Sequence, residues 1–397
     1  MSTTPPPPGA QAENAHGLAA LQAGRHDEAL AHFARATALD PDAAPLWRNQ
    51  ATACRALGDD VGERAALDAA LDRERTDFAT WLRKAQLHQR RGEDADAMAA
   101  WSATLQLAEA FPQFPPEIAA MLEAGRAAMQ GWQGRVETAV EAGLAPLLAG
   151  LDAPSRRRGQ AFVDTALRGR RTYRNECSGL YYPFLPADEF FDENHFAWIP
   201  SARAAAVDVR AEFLALQQAD ALPLRPYVQM DKGAPQSKWS TLDGSGAWSA
   251  AFLWEYGVAN DALLERCPKT AALLEAIDRP RIPGRAPTVF FSILRAGAVI
   301  PPHTGVSNTR SIAHLPLVVP DGCRFRVGGE TRAWVEGEPF VFDDTIEHEA
   351  INPTDRDRAV LIFDVWNPHL GASEREVIAR YYASADAAGL NPETRGT

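Results

Sequence analysis

Three of the nine histidines lie in one stretch of the C-terminal half, at His303, His314 and His348. His303 follows a Pro-Pro pair, and His348, 45 residues later, follows the acidic sequence FDDTIE. Neutral imidazole nitrogens bind Fe(II), and two histidines on neighbouring strands of a barrel can share one metal ion. The residue types and their spacing therefore predict a metal site, and our working hypothesis is that the metal is Fe(II).

The residues around these histidines have the pattern of an antiparallel sheet. Between Val289 and Leu370, short apolar runs rich in Val, Ile and Phe alternate with Gly, Pro, Asn and Asp, which predicts short strands joined by turns. One histidine on an early strand and one on a late strand is the layout of a double-stranded β-helix, a jelly-roll or cupin-like fold. Most Fe(II) oxygenases of this kind add a carboxylate two residues after the first histidine, and here that position is Gly305.

Five motifs in this region together resemble the aspartyl/asparaginyl β-hydroxylase family: HTGVSNTR, HLPLVVP, FRVGGETRAWVEG, FDDTIEHEA and FDVWNP. The resemblance runs from Trp248 to Pro368 and extends back to about Tyr173. It implies an oxygenase that uses Fe(II), 2-oxoglutarate and O₂, with the iron held by two histidines only, here His303 and His348. The implied reaction converts 2-oxoglutarate to succinate and CO₂ and hydroxylates the β-carbon of an Asp or Asn side chain.

The resemblance also implies a set of residues that hold 2-oxoglutarate. Arg358, ten residues after His348, matches the family's arginine for the distal carboxylate, which a guanidinium can grip through two parallel hydrogen bonds. The other matching positions are a hydroxyl donor, a contacting histidine and a tryptophan that lines the pocket: Ser292, His314 and Trp248. Considered alone, His314 also fits a strand histidine that is hydrogen-bonded in the core.

Two acidic residues, Asp343 and Asp344, precede His348. On a regular strand Asp344 shares the face of His348, four residues later. We therefore predict a catalytic role for Asp344, in which its carboxyl group orients a water bound to the metal. The alternative is that both acidic residues belong to a polar turn ahead of the strand.

The chain departs from the animal members of the family at two places. These members carry a second arginine two residues after the Arg310 position, where this chain has Ile312. Arg310 itself is a candidate for gripping a substrate carboxylate. The animal enzymes also have a cysteine pair after the FLW segment, whereas here only Cys267 is found. Both departures bear on substrate identity.

A repeat of 34 residues marks the N-terminal part of the chain. Gly24, Gly58 and Gly92 keep this interval, as do Trp47 and Trp81, and the pattern resembles the tetratricopeptide repeat. It predicts helix pairs that stack into a short solenoid, because one pair cannot bury its apolar face alone. Such an array either offers a groove to a peptide or braces a neighbouring domain. The alternative is a set of unrelated amphipathic helices with accidental spacing.

The predicted protein is thus multidomain α and β, with a helical tetratricopeptide-like solenoid followed by a double-stranded β-helix domain. We place the boundaries as follows: a disordered Pro-rich leader at 1–15, the repeats at 16–110, a helical cap or linker at 111–172, the oxygenase domain at 173–385 and a C-terminal tail at 386–397.

Composition narrows the class of protein. The net charge of −12 argues against a nucleic-acid partner, which would need a basic face. The four cysteines are scattered without CxxC spacing, which indicates free thiols in a reducing compartment. The first residues lack the basic and apolar regions of a signal peptide, and no run is long and apolar enough for a membrane span. We therefore expect a cytoplasmic protein.

Three functions are compatible with the sequence. The first is hydroxylation of Asp or Asn residues in a peptide or protein that the repeat groove guides to the enzyme. The second applies the same chemistry to a free amino acid or to a lipid-linked acyl chain. The third is a repeat scaffold whose barrel binds a ligand without turnover. The pair His303 and His348, together with Ser292 and Arg358, counts against this third function.

Overall fold

Helix pairs make up the N-terminal part of the protein. The structure, a computed structural model, describes residues 8–389, and its internal contacts divide the chain into two units, Met1–Leu151 and Asp152–Thr397. The helices of the first unit are α1 (Pro8–Gln22), α2 (His26–Leu39), α3 (Ala44–Leu57), α4 (Asp60–Arg73), α5 (Phe78–Arg91), α6 (Asp94–Ala108) and α7 (Pro116–Ala149).

The 34-residue period is reproduced in the backbone conformation and hydrogen bonds of these helices. Gly58 and Gly92 end α3 and α5 with left-handed backbone, at φ of 75° and 69°, a conformation that glycine adopts without steric cost. Trp47 and Trp81 each donate an indole hydrogen bond of 2.8 Å to the carbonyl six residues earlier. For Trp81 that carbonyl belongs to Arg75, which stands where the motif has proline. The predicted tetratricopeptide-like array is therefore present, and the copy with Arg75 in place of proline keeps the same geometry.

The predicted disordered leader is wrong for residues 8–15. These residues lie in α1, where Ala10 is fully buried because the small side chain lets the helix pack closely against its neighbours. The rest of the leader, 1–7, and the tail beyond 389 lie outside the described residues. The predicted helical segment 111–172 is also divided, since α7 belongs to the first unit and a new helix begins after Asp152, whose carboxylate accepts from the Ser155 amide.

The second unit contains two antiparallel sheets. Its strands are β1 (Arg225–Pro226), β2 (Trp248–Glu255), β3 (Val258–Ala259), β4 (Val289–Leu294), β5 (Val299–His303), β6 (Arg310–Val318), β7 (Arg324–Val327), β8 (Glu330–Arg332), β9 (Phe340–Phe342), β10 (His348–Ile351) and β11 (Arg358–Trp366). The larger sheet has the order β1-β2-β4-β11-β6-β9, with β3 on β2, and the smaller has the order β5-β10-β7-β8. From β4 to β11 successive strands alternate between the two sheets, except within the β7-β8 hairpin. This topology confirms the predicted double-stranded β-helix.

The helices of this unit are α8 (Ala153–Arg168), α9 (Ile199–Gln218), α10 (Asp261–Leu264), α11 (Pro268–Glu275) and α12 (Ala372–Ala387). Residues of α9 and α11 share one apolar core with the outer face of the large sheet. A second core lies between the two sheets. Within residues 8–389, no helix combines the length and the apolar character needed to cross a membrane.

Strand periodicity decides which side chains enter the barrel. All residues of β4 and β11 are buried, because one face of the large sheet packs on helices and the other faces the small sheet. On β4 the residues Phe291 and Ile293 join the helix-side core, whereas Phe290 and Leu294 join the core between the sheets. Ser292 therefore faces the barrel interior together with Phe290 and Leu294.

Candidate active site

The two predicted metal ligands are cross-strand neighbours in the small sheet. His303 ends β5 and His348 begins β10, their Cα atoms are register partners, and their ring centroids lie 4.0 Å apart. The Nδ1 atom of His303 lies 2.8 Å from the Pro301 carbonyl oxygen, and that of His348 lies 3.0 Å from the Ile346 carbonyl oxygen. A carbonyl only accepts, so both Nδ1 atoms carry the proton and both Nε2 lone pairs are left for a metal.

Burial keeps both imidazoles neutral. It lowers the pKa of His303 to about 4, and it lowers the pKa of His348 well below its ordinary value, an effect that the adjacent His303 increases. Neutral imidazoles, each oriented by a backbone hydrogen bond, are the form in which histidine binds a metal ion. The donor set therefore fits the predicted Fe(II), which His303 and His348 would hold.

The place of the usual third ligand is filled by another side chain. A Cβ atom at Gly305 would lie 2.0 Å from Oδ2 of Asp344, and the Gly305 amide donates to the Asp344 carbonyl at 2.6 Å. No carboxylate can therefore extend from position 305 while Asp344 keeps this conformation. The sequence showed only that an acid was missing, and the structure shows which acid occupies the space.

Asp344 carries an unusual carboxyl group. Its Oδ1 atom is buried and has no hydrogen-bond partner in the structure. Burial, reinforced by the charge of Asp343, raises the pKa of Asp344 to about 8, although the Arg310 guanidinium acts in the opposite direction. A buried polar atom without a partner is costly unless a ligand or water completes it. Asp344 thus has the features of a group that holds a molecule beside the metal site.

Asp343 differs from Asp344 because its carboxylate is fully hydrogen-bonded. Its carboxylate accepts from the Thr345 amide at 3.0 Å, from the Thr345 hydroxyl at 2.6 Å and from the Asn175 side chain at 2.6 Å. This arrangement is a side-chain-capped turn. Both acidic residues lie in the turn ahead of β10, so the turn alternative is right for their location and the regular strand assumed for Asp344 is absent, although none of these bonds involves Asp344.

A buried cation lies on the large sheet. Arg358 is 1% exposed, its Nη1 lies 3.4 Å from Ser292 Oγ, and its guanidinium lies 4.7 Å from the ring centre of Trp334. Its Nε has no partner, and no carboxylate within residues 8–389 forms an ion pair with it. Burial lowers the pKa of Arg358 to about 10, so the group is charged at neutral pH. A buried charge needs a counterion, and the prediction that Arg358 holds a ligand carboxylate fits this requirement.

The remaining predicted pocket residues surround this cation. Trp248 donates its indole N–H to Ser292 Oγ at 3.0 Å. His314 lies on β6, where its Nδ1 accepts the indole N–H of Trp334 at 3.2 Å. Ser292, His314 and Arg358 lie on three adjacent strands of one sheet, so these three predicted residues meet in the barrel interior.

Arg310 is a paired cation. It donates to the Asp364 carboxylate at 3.1 Å and to the Arg285 carbonyl at 3.2 Å, and 19% of its side chain is exposed. Ile312, at the position of the second arginine, packs against the core between the sheets. Cys267 is a buried free thiol in the helix-side core.

Sequence reasoning missed two tryptophans of the site. Trp334 lies in the segment between β8 and β9, and the ring of Trp239 lies 4.9 Å from the ring of His303. Both stand outside regular strands, so no periodicity indicates where their side chains point. For Trp334 the signal was its place in the motif FRVGGETRAWVEG.

Comparison with known proteins shows which sequences the second unit resembles. Residues 203–368 match the family model described as Aspartyl/Asparaginyl beta-hydroxylase. The aspartyl/asparaginyl beta-hydroxylase of Mus musculus is 40% identical over 135 residues, which are 34% of this chain and 18% of that protein. The ornithine lipid ester-linked acyl 2-hydroxylase of Rhizobium tropici is 32% identical over 198 residues, 49% of this chain and 66% of that protein.

A similar match is found with human aspartate beta-hydroxylase domain-containing protein 2, at 34% identity over 152 residues, 38% of this chain and 41% of that protein. The chain spans less than a fifth of the length of the mouse and human aspartyl/asparaginyl beta-hydroxylases that it matches.

Solved structures resemble the helical part of the chain. The first TPR domain of Spaghetti (RPAP3), bound to an HSP90 peptide, is 18% identical with a TM-score of 0.28 and covers 31% of this chain and 94% of its own. The Sgt2 TPR domain from Aspergillus fumigatus is 15% identical with a TM-score of 0.29 and covers 33% of this chain and 85% of its own. The repeat assignment depends on the helix pairs themselves and not on these similarities. The matching sequence therefore assigns residues 203–368, within the second unit, to the aspartyl/asparaginyl β-hydroxylase family.

Proposed function

We propose that this protein is an Fe(II)- and 2-oxoglutarate-dependent dioxygenase that hydroxylates the β-carbon of Asp or Asn residues in a peptide or protein. One observation carries the proposal. The barrel interior combines two histidines with free Nε2 lone pairs and a buried guanidinium that pairs with no carboxylate of residues 8–389. A metal ion and a dicarboxylate together would satisfy both groups.

The side chains of the site have separate tasks in this proposal. His303 and His348 hold the iron, and the buried carboxyl of Asp344 orients a water ligand from the place next to Gly305. Arg358, Ser292 and His314 bind the distal carboxylate of 2-oxoglutarate, with Trp248 beside them. When bound, iron supplies the activation of O₂ that allows hydroxylation of an unactivated C–H bond.

The walls of the barrel keep water away from this chemistry. Phe325 and Phe342 pack edge-on to the ring of His348, at centroid distances of 6.0 and 5.1 Å, and both are almost completely buried. A water-poor interior strengthens the electrostatic contacts of Arg358 with a carboxylate and limits side reactions.

Two classes of substrate are compatible with the proposed reaction. Arg310 is proposed to contact a substrate carboxylate, because its side chain is partly exposed and its bond to Asp364 holds the guanidinium in place. Hydroxylation of a lipid-linked acyl chain is the second candidate, favoured by the 32% identity to the Rhizobium tropici lipid hydroxylase. The two substrates differ in whether a carboxylate lies near the reacting carbon.

A cationic cavity in the first unit supports a peptide substrate. The cavity has a volume of about 430 Å³ and is lined by Ala51, Thr52, Arg55, Ala56, Glu63 and Arg83. Burial and the charges of Arg48 and Arg55 lower the pKa of Arg83. Glu63 pairs with an arginine outside the lining, and within residues 8–389 no carboxylate pairs with Arg55 or Arg83. We propose that an acidic residue of the peptide binds these two arginines.

Turnover provides the direct test of the enzyme. Purified protein supplied with Fe(II), ascorbate and 2-oxoglutarate should release succinate, and mass spectrometry should detect a +16 shift on peptides that contain Asp or Asn. The His303→Ala and His348→Ala variants should lose turnover at least 100-fold, and His195→Ala, outside the site, should keep it. Full activity in either ligand variant would refute the metal assignment, and a +16 shift found only on acyl lipids would favour the second substrate.

The cavity requires its own test. Fluorescence anisotropy with a labelled Asp- and Glu-rich peptide should show affinity about tenfold weaker for Arg55→Ala, and weaker binding as salt concentration rises. Arg126→Ala, which removes an exposed arginine paired with Glu123, is the matched control. Equal affinities for the wild type, Arg55→Ala and Arg83→Ala would exclude the cavity as the peptide site.

A further inference from the structure

Two tryptophan N–H groups point at two polar groups of the proposed 2-oxoglutarate pocket. Trp248 donates to Ser292 Oγ at 3.0 Å, and Trp334 donates to His314 Nδ1 at 3.2 Å. An indole N–H can only donate a hydrogen bond. The serine oxygen and the histidine Nδ1 atom are therefore both acceptors in these contacts.

For His314 this contact determines the tautomer. Its Nδ1 lone pair accepts from Trp334, so in the neutral ring the proton must lie on Nε2. Burial, followed by the nearby charge of Arg358, lowers the pKa of His314 well below its ordinary value, in agreement with a neutral ring. Within residues 8–389 no group forms a hydrogen bond with His314 Nε2, so this N–H is left for a ligand.

The same tryptophan also contacts the cation of the pocket. The guanidinium carbon of Arg358 lies 4.7 Å from the centre of the Trp334 ring, and the His314 ring lies nearly parallel to it, at 19°. Trp334 is 5% exposed, and a desolvated cation over an indole face is attracted to the ring. One buried side chain thus orients two of the three groups that converge on the pocket.

We propose that Trp334 is a positioning residue that sets the hydrogen-bond polarity of the dicarboxylate pocket. It holds His314 as an Nε2–H donor and supports Arg358, while Trp248 leaves the Ser292 hydroxyl free to donate. Three donors and no acceptor then face the ligand, so a carboxylate is bound and a carboxamide, which brings N–H groups to the same place, is rejected. The identity of the ligand rests on the proposed function, whereas the tautomer of His314 does not.

The tautomer can be observed directly in the wild-type protein. Two-bond ¹H–¹⁵N spectra of the protein labelled with ¹⁵N-histidine should show His314, assigned by comparison with His314→Gln, as the Nε2–H tautomer at neutral pH. Trp334→Phe keeps a ring beneath Arg358 but removes the N–H, and it should shift His314 to a mixture of tautomers. Trp198→Phe, which changes an indole packed on Phe363 on the helix side of the sheet, is the matched control.

Ligand binding supplies the second measurement. In Trp334→Phe the KM for 2-oxoglutarate should rise about tenfold with kcat changed less than twofold, the pattern expected when ground-state binding is lost. The preference for 2-oxoglutarate over 2-oxoglutaramate, measured by competition, should fall about tenfold as well. Trp334→Leu, which also removes the ring under Arg358, should lose more affinity than Trp334→Phe.

The outcomes separate this inference from the proposed function. An Nδ1–H tautomer in the wild type, or an unchanged KM and an unchanged carboxylate preference in Trp334→Phe, would overturn the role of Trp334. A wild-type protein without succinate release would instead contradict the proposed function, and the histidine spectra would still show whether Trp334 controls the tautomer.

Discussion

Two groups of candidate metal ligands in this molecule differ in what already satisfies their polar atoms: one histidine with two carboxylates in the first unit, and two histidines in the second. In the first unit, His88 Nδ1 lies 2.6 Å from Glu93 Oε2, and Asp96 completes a group of potential metal ligands. Arg64, however, forms an ion pair with Glu93 and also contacts His88 Nδ1 at 3.1 Å. In the second unit, His303 and His348 direct their Nδ1 atoms to backbone carbonyls.

The difference shows what makes a histidine cluster suitable for a metal. The negative charge of the Glu93 carboxylate is already balanced by neighbouring arginines. Its hydrogen bonds with Arg91 and His88 lower the pKa of Glu93 to about 2. A metal ion would have to displace the arginines that occupy this cluster. The barrel histidines keep their Nε2 lone pairs, and no arginine or lysine among residues 8–389 is hydrogen-bonded to their rings, so a metal gains their coordination without such a loss.

The largest effect should follow removal of a barrel histidine. His348→Ala should weaken Fe(II) or Co(II) binding at least 100-fold, because a two-ligand site cannot lose half of its protein ligands and keep its affinity. Isothermal titration under anaerobic conditions measures this change. His88→Ala is the matched control and should bind the metal like the wild type, and a comparable loss in this control would mean that the comparison of the two clusters is wrong.

Filling the space beside Asp344 should destabilise the barrel. Gly305→Ala places a methyl group against the Asp344 carboxyl and should lower the free energy of unfolding by about 1–3 kcal/mol, the usual cost of overpacking. Denaturant titration of both single variants and of the double variant with Asp344→Ala tests this contact. The two changes should be strongly non-additive, because removing the carboxyl removes the clash, and simple additivity would contradict the contact.

The pH dependence of stability should identify the buried carboxyl. Between pH 6.5 and 8 folded metal-free protein keeps a proton on Asp344, whose pKa is raised to about 8, whereas the unfolded chain does not. The native state then binds more protons, so the free energy of unfolding falls as pH rises through this window. Below pH 6.5 the lowered pKa values of His303 and His348 act with the opposite sign. Urea titrations should show a smaller fall for Asp344→Asn, and an unchanged slope would contradict the raised pKa.

The smallest expected effect should follow removal of the arginine that occupies the ligand cluster of the first unit. Arg64→Ala removes the cation that occupies the cluster of the first unit, and Zn(II) affinity at His88, Glu93 and Asp96 should increase by about tenfold, consistent with removal of one competing charge. Titration with a Zn(II) indicator measures it, and Arg126→Ala, which removes an exposed arginine paired with Glu123 outside this cluster, serves as the control. No change in Arg64→Ala would show that the arginine does not block this cluster.

The sequence predicted much of the site because strand periodicity and motif spacing are local properties. Ser292, His314 and Arg358 were predicted from the resemblance to the family, and strand alternation explains why the folded chain brings them to one face of the sheet. The leader prediction was wrong for residues 8–15, since proline-rich composition concealed a helix that is stabilised by packing of residues such as Ala10.

By itself the sequence determined the fold class, the family resemblance and the two histidine positions that we predict to bind the metal. Tertiary structure alone decided that Asp344 occupies the space beside Gly305, that no carboxylate in the described part of the chain pairs with Arg358, and that Trp334 contacts His314. The physical reason is that these three features depend on distances between side chains far apart in the chain. Such distances are set when two sheets pack face to face, and no local pattern contains them.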